Sequence, residues 1–313
     1  MRLRQDQAMR FSIWPNLMQP FHDVLALARH ADSNGWDGVW VADHFMGDGA
    51  GFGAEDSPTL EATSVVAALA SATERVRIGP LVLGATYRHP AVVANWAASV
   101  ERISSAASGD GRLVLGLGAG WQQNEHRQYG IELPPVRDRV SRFGEYCEIV
   151  RRLLTEDRVT FRGRWFELDD ALCEPKPVGG PTLLVGGKGD RMLGIAAQFA
   201  DEWNMWGLPE LIAERSAVLD RCCEAIGRDP STIRRSTQAL LLPTDDAARA
   251  QRFLDAASPR AAVAGSPHEI AETVAAWHDV GIDEVIVPDA PLGRGAERLD
   301  HLAALARAFE PFR

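Results

Sequence analysis

Lysine is nearly missing from this chain. Lys176 and Lys188 are the only two, so the 33 basic side chains less these two leave 31 arginines, a skew that supports no mechanism by itself. Basic residues are also outnumbered: 43 acidic side chains give a formal charge of −10. Such a surface repels phosphate backbones, which argues against general nucleic-acid binding. Cysteine is scarce. Cys147, Cys173, Cys222 and Cys223 form no Cys-x-x-Cys pair and no cluster of zinc spacing, and they read as buried or idle thiols of a reducing cytoplasm. No run approaches 18 apolar residues, so no membrane span is expected. The opening MRLRQDQAMRFSIW has basic residues with no apolar stretch behind them, so no export signal is expected either. The eight histidines include no His-x-His and no His-Glu-x-x-His, which disfavours a metal site. There is no Gly-x-Ser-x-Gly elbow for acyl transfer. What remains is a chain of 313 residues with 46% hydrophobic and 24% charged residues, the balance of a folded globular protein rather than a disordered or fibrous one.

Short β-rich runs alternate with stretches of helical period. Strands are predicted at Met9–Trp14, Gly38–Ala42, Val76–Leu83, Arg112–Leu117, Pro181–Val185, Asp201–Trp206, Ile233–Leu242 and Glu284–Val287. Helices are predicted between them, among them Phe21–Asn34, Thr59–Thr73 with Glu61 in its first turn, Pro90 to about Ser104, Arg137–Leu154 and Asp190–Ala200. The later helices are placed at Glu210–Ile226, Ala247–Ala257, a stretch ending at Val280, and Glu297–Phe309. Residues 155–180, with "VTFRGRWFEL", read as a small inserted hairpin. Eight strand-helix repeats with no Pro/Gly/Ser-rich linker predict an α/β chain forming one (β/α)8 TIM barrel over residues 1–313. The active site of such a barrel lies at the C-terminal ends of its strands.

Those ends carry Trp14 on the first strand and Asp43-His44 on the second. Gly118-Ala119-Gly120-Trp121 follows the fourth, Gly186-Gly187-Lys188-Gly189 the fifth, and Trp206 closes the sixth. Glycines ahead of a helix, beside Lys188 and Arg191, can cradle a phosphate, or can simply make a tight turn. Gly116-x-Gly118-x-x-Trp121 fails as a dinucleotide fingerprint at its last position, where Trp121 supplies a flat apolar wall instead. His44 beside Asp43 is a candidate proton donor or acceptor near neutral pH, or a structural histidine. Glu125-His126 reads as a loop, with an ion pair or a helix cap as the plain alternative.

The segments "GWDGVWVADHF", "TYRHPAVVAN", "GRLVLGLGAGWQQNEHRQYGI" and "LLVGGKGDRMLGIAAQFADEWN" together resemble the bacterial luciferase-like superfamily, and within it the branch that uses the deazaflavin coenzyme F420. The resemblance is strong from Phe11 to Asn204. It implies a homodimeric barrel with a flavin-type tricycle across its mouth. Asp43 and His44 would flank the ring, with His44 the proton donor or substrate-orienting group. Leu81 and Val82 match a place where the family often has a non-proline cis peptide supporting the ring. Gly118, Ala119 and Gly120, with Trp121, match contacts to the cofactor, and Gly186, Gly187, Lys188 and Gly189 match the phosphate-contacting loop.

Two departures bear on function. Sugar-phosphate dehydrogenases of the family carry a carboxylate where Trp121 stands here, which favours an apolar or aromatic substrate held by Trp14, Trp121 and Trp206. The usual compact turn before the fourth strand is stretched to "ISSAASGDGR", predicting a longer loop. The resemblance thus implies a cytoplasmic F420-dependent oxidoreductase acting on a small molecule, with a separate cofactor reductase as a partner. An FMN-dependent monooxygenase using reduced flavin and oxygen is the alternative, and a catalytically silent flavin-binding barrel the remote one.

Overall fold

The computed structural model describes residues 8–313. Strands form where β-branched and large apolar residues concentrate. In chain order they are β1 (Arg10–Trp14), β2 (Gly38–Val41), β3 (Arg77–Pro80), β4 (Leu83–Gly84), β5 (Val114–Gly118), β6 (Val159–Arg162), β7 (Glu167–Ala171), β8 (Thr182–Gly186), β9 (Glu202–Trp206), β10 (Arg234–Gln238), β11 (Leu240–Pro243), β12 (Ala262–Gly265) and β13 (Glu284–Pro288). Nine of them make one sheet in the order β3-β2-β1-β13-β10-β9-β8-β5-β4, and every pairing in it is parallel. β3 and β4 are two halves of one course, interrupted at Leu81–Val82, where the peptide bond is cis. Ile78 bridges in parallel to Leu113, so the sheet meets itself and eight courses close a (β/α)8 barrel. β6 and β7 pair antiparallel outside it.

Two expectations are corrected. Ile233–Leu242 is not one strand. Its first part, β10, stays in the barrel with Gln238 in register with Trp206 and Ile286. Beyond that rim no barrel neighbour remains, and Leu240 N–H donates instead to Ala261 (2.9 Å), starting a separate parallel ribbon of β11 and β12. The "AVAG" of β12 is too poor in strand-forming residues to be legible as a strand. The stretch "ISSAASGDGR" is mostly not a loop either: the helix Pro90–Ser108 runs through its first six residues and stops at Gly109, which takes the left-handed conformation (φ 84°) that a helix C-terminus favours.

The barrel interior is charged at its foot and apolar above. Ser12 and Trp40 both donate to Glu284, Arg77 bridges Glu284 (2.9 Å) and Glu202 (2.6 Å), and Arg10 stands 3.5 Å from Glu202. Paired on both sides, these buried charges avoid the cost of burial alone. Above them Trp40, Val114, Leu184 and Ile286 fill the middle of the barrel. The foot is therefore plugged, and only the opposite end is left for chemistry.

Glu101, on the helix Pro90–Ser108, is 2% exposed and accepts the Leu113 N–H (2.8 Å) next to the bridge that closes the barrel. Burial pushes its carboxyl up to about 7, more than the Leu113, Ser104 and Arg112 interactions pull it down. The folded protein thus holds a proton that the unfolded chain releases near its ordinary pKa. Between about pH 4.5 and 7 the native state binds more protons, so this group lowers stability as pH rises. Glu101→Gln should remove roughly 1–3 kcal/mol of that decline, read from urea unfolding across this interval. A variant whose profile runs parallel to wild type would show that Glu101 titrates normally.

Candidate active site

Successive residues of a strand face opposite sides, so alternate residues at each C-terminal end point into the barrel mouth. Trp14, Ala42, Val82, Gly118, Gly186, Trp206 and Gln238 all line one cleft of about 950 Å³ there. Its two sides differ. On one, a Cβ at Gly118 would come 2.6 Å from Val82 and one at Gly186 would come 3.1 Å from Val82, so glycines are required above that side chain and the surface is flat. On the other, the rings of Trp14 and Trp206 stand 5.6 Å apart beside Gln238. Gln238 is 3% exposed, and its Oε1 has no partner among the described residues.

The cleft continues outward over Gly118–Trp121 and Gly186–Gly189 to Lys188, Arg191 and Arg139. Gly187 has φ 146°, a backbone position that disfavours any side chain. Gly189 caps the helix Asp190–Phe199, whose first N–H groups have no partners within the helix. Arg139 Nε is buried and also lacks a partner among the described residues. Trp121 is 51% exposed and forms a lip, with its ring edge-on to His44 at 5.5 Å and 5.8 Å from Phe52. Every residue singled out from the sequence as a site candidate lines this one cleft.

Sequence neighbours Asp43 and His44 diverge. Asp43 is 3% exposed, and it accepts from Gly84 N–H (2.9 Å) and from both ends of the Arg88 guanidinium (2.7 and 2.9 Å). Arg88 also reaches Glu61 (2.6 Å), whose carboxylate caps the helix Ala62–Ala72. Burial alone would raise Glu61, but hydrogen bonds from Ser64 and Thr63 bring it down to about 2. Arg88 is held well above its ordinary pKa, because Asp43 and Glu61 outweigh the effect of burial.

His44 turns instead to Glu125, with Nδ1 2.9 Å from Oε1. Glu125 and His126 do not lie in a loop; they sit on a short helix, Gln123–Tyr129, and both are buried. Glu125 is fully buried and accepts from Phe45 N–H (2.8 Å), the Tyr87 hydroxyl and His44. Burial would raise its carboxyl, but the hydrogen bonds from His44 and Tyr87 hold it below its ordinary value. An ionised carboxylate only accepts, so His44 Nδ1 carries the hydrogen and Nε2 is the nitrogen left for a ligand. Nε2 has no partner among the described residues, and His44 lines the cleft where its flat and aromatic sides meet. The sequence offers an ion pair at Glu125 only as the plain alternative and cannot name the partner, because His44 lies 81 residues away with no spacing to reveal it. His126 is engaged with the Gln122 carbonyl and Thr86.

Residues 7–259 match the family described as luciferase-like monooxygenase. The chain belongs to that family. It is 36% identical over 171 residues to an F420-dependent glucose-6-phosphate dehydrogenase of Amycolatopsis mediterranei, covering 51% of this chain and 49% of that protein. A second protein of that name, from Kineococcus radiotolerans, is 30% identical over 273 residues, 82% of this chain and 76% of that one. The chain thus spans about half of the first relative's length and three quarters of the second's. Among solved structures, an F420-dependent secondary alcohol dehydrogenase in complex with an F420-acetone adduct superposes with a TM-score of 0.81 at 20% identity, covering 96% of this chain and 99% of that one. At that identity the likeness shows the fold. Among the described residues no group of acidic, histidine or cysteine side chains is arranged to hold a metal ion, and no helix is long and apolar enough to cross a membrane.

Truncating Glu125 to alanine strands three donors in a buried space. The expected cost is about 3 kcal/mol in unfolding free energy, against about 1 kcal/mol for Tyr87→Phe, which removes one donor and leaves two. Denaturant titration of the two variants checks the order; equal losses would mean that Tyr87 alone carries the knot.

Proposed function

We propose that this chain is a coenzyme F420-dependent oxidoreductase, transferring a hydride between the deazaflavin and a small apolar or aromatic organic molecule. The observation that carries the reading is His44, held by Glu125 through Nδ1 with Nε2 unpartnered, where a flat glycine floor meets an aromatic wall. The residues fit the cofactor. Gly118 and Gly186 present no side chain beside Val82, which leaves room for a planar group there. Gly189 at a helix start, Lys188, Arg191 and the unpartnered Arg139 Nε suit the anionic tail. The curated relatives of that name support the same cofactor.

Bound there, F420 supplies or accepts the hydride. The chain's own residues do the rest. Asp43 ties Gly84 to Arg88 and so fixes the rim beside the ring, as a positioning residue. His44 Nε2 donates or accepts the accompanying proton, and Glu125 keeps the imidazole in one tautomer. Trp14, Trp121 and Trp206 stack the substrate and exclude water. With Trp121 at the lip, the substrate is apolar or aromatic and not a sugar phosphate. The same reading carries a homodimer, a separate reductase that supplies reduced cofactor, and a cytoplasmic setting, which the four free cysteines suit.

Titration with F420 and with FMN in parallel, followed by tryptophan fluorescence, tests the cofactor. F420 is expected to bind at least roughly tenfold more tightly. Preference for FMN, with oxygen consumed on reduction, would make the protein a flavin monooxygenase, and binding of neither would leave a silent barrel. His44→Ala should retain F420 binding and lose roughly 10²–10⁴ in kcat/KM. Gly189→Val tests the tail. A Cβ at Gly189 meets nothing within 4 Å among the described residues apart from its chain neighbours, so folding should be unaffected while F420 affinity falls about tenfold. Unchanged affinity removes that loop from the site. Gly187→Val would be a poorer test, because φ 146° strains any replacement.

A further inference from the structure

Beyond Trp14, His44, Phe52 and Trp206 the cleft opens into a second compartment of about 280 Å³. It shares those four residues and Ala42 with the main cleft and continues past them to Leu17, Leu240 and Pro288. Its walls are mostly apolar, and the charged groups that line it among the described residues are Asp289 and Arg260, with His44 beside them.

Asp289 is already satisfied. It accepts from Asn16 N–H (2.8 Å) and Gln19 Nε2 (2.9 Å), and it pairs with Arg298 (3.0 Å). Arg260 is not. Its Nη1 donates to the Gly51 carbonyl (2.7 Å), its guanidinium carbon stands 6.0 Å from the centre of the Phe52 ring, and no carboxylate pairs with it among the described residues. Its backbone is fixed on both sides, by Arg260 N–H on Ala257 (2.9 Å) and by Leu240 N–H on Ala261 (2.9 Å). The β11–β12 ribbon therefore holds a partly free guanidinium fork at an apolar compartment that His44 also lines.

We propose that this compartment is the substrate pocket and that Arg260 anchors a carboxylate on an otherwise apolar substrate, placing the reacting end beside His44. This rests on the oxidoreductase reading of the cleft. A guanidinium matches a carboxylate's planar pair of oxygens. One arginine balances one negative charge, whereas a phosphate monoester would bring a second, and no second arginine or lysine lines the compartment among the described residues.

Cyclohexanecarboxylate, cyclohexanecarboxamide and cyclohexyl phosphate serve as probes, because none absorbs where tryptophan does and Trp14 and Trp206 wall the pocket. Each is titrated into the F420-loaded protein and into the protein without cofactor. The carboxylate is expected to bind at least roughly tenfold more tightly than the amide and the phosphate. Arg260→Gln should erase that preference, Arg260→Lys should keep part of it, and both should bind F420 as wild type does, since Arg260 does not line the main cleft. Equal affinities for acid and amide, no saturable binding of the acid, tighter binding of the phosphate, or a preference surviving in Arg260→Gln would each overturn the proposal. Failure to bind F420 with the acid preference intact would instead sink the cofactor reading and leave the anion pocket standing.

Discussion

One buried negative charge organises the barrel mouth. Glu125 has no access to water, and it is stable as a carboxylate only because three donors converge on it. His44 and Phe45 come from the end of the second course, Tyr87 from the loop after the third, and Glu125 itself from the helix after the fourth. A single desolvated group thereby holds three successive loops in register. The histidine it orients lines the cleft with Nε2 free of any partner among the described residues. Asp43 does a parallel task one residue earlier, tying the second course to the third through Gly84 and Arg88.

The charges at the foot of the barrel work differently. Glu284, Glu202, Arg77 and Arg10 satisfy one another and offer nothing to a ligand. At the mouth, by contrast, Gln238 Oε1, Arg139 Nε and His44 Nε2 lack partners among the described residues. Unpaired polar groups are costly when buried, and these three line a cleft that a ligand can fill.

The barrel was legible because periodicity is local. Alternating apolar runs and helical stretches show the eight courses directly, and the glycines at strand ends mark residues that line the cleft. What was hidden depends on distance or on weak chemistry. Ala262–Gly265 pairs as a strand only because Leu240–Pro243 has left the barrel, and nothing in four small residues announces that. The continuation of Pro90–Ser108 was masked by serines, which read as loop yet are tolerated in a helix. His44 could be picked out by its strand-end position. That its carboxylate partner is Glu125 and not adjacent Asp43 could not be read locally, because Asp43 is taken up by Gly84 and Arg88.

The flat half of the cleft draws its surface from residues 82–189, while the aromatic half needs Trp14 together with Trp206, Leu240 and Pro288. β1 pairs with β13, joining Arg10 to Glu284 across nearly the whole chain. As the chain leaves the ribosome, then, the first strand must wait for almost the last before the barrel can close. The glycine-lined half of the cleft can assemble while the chain is still growing; the aromatic half is complete only once β13 has been made.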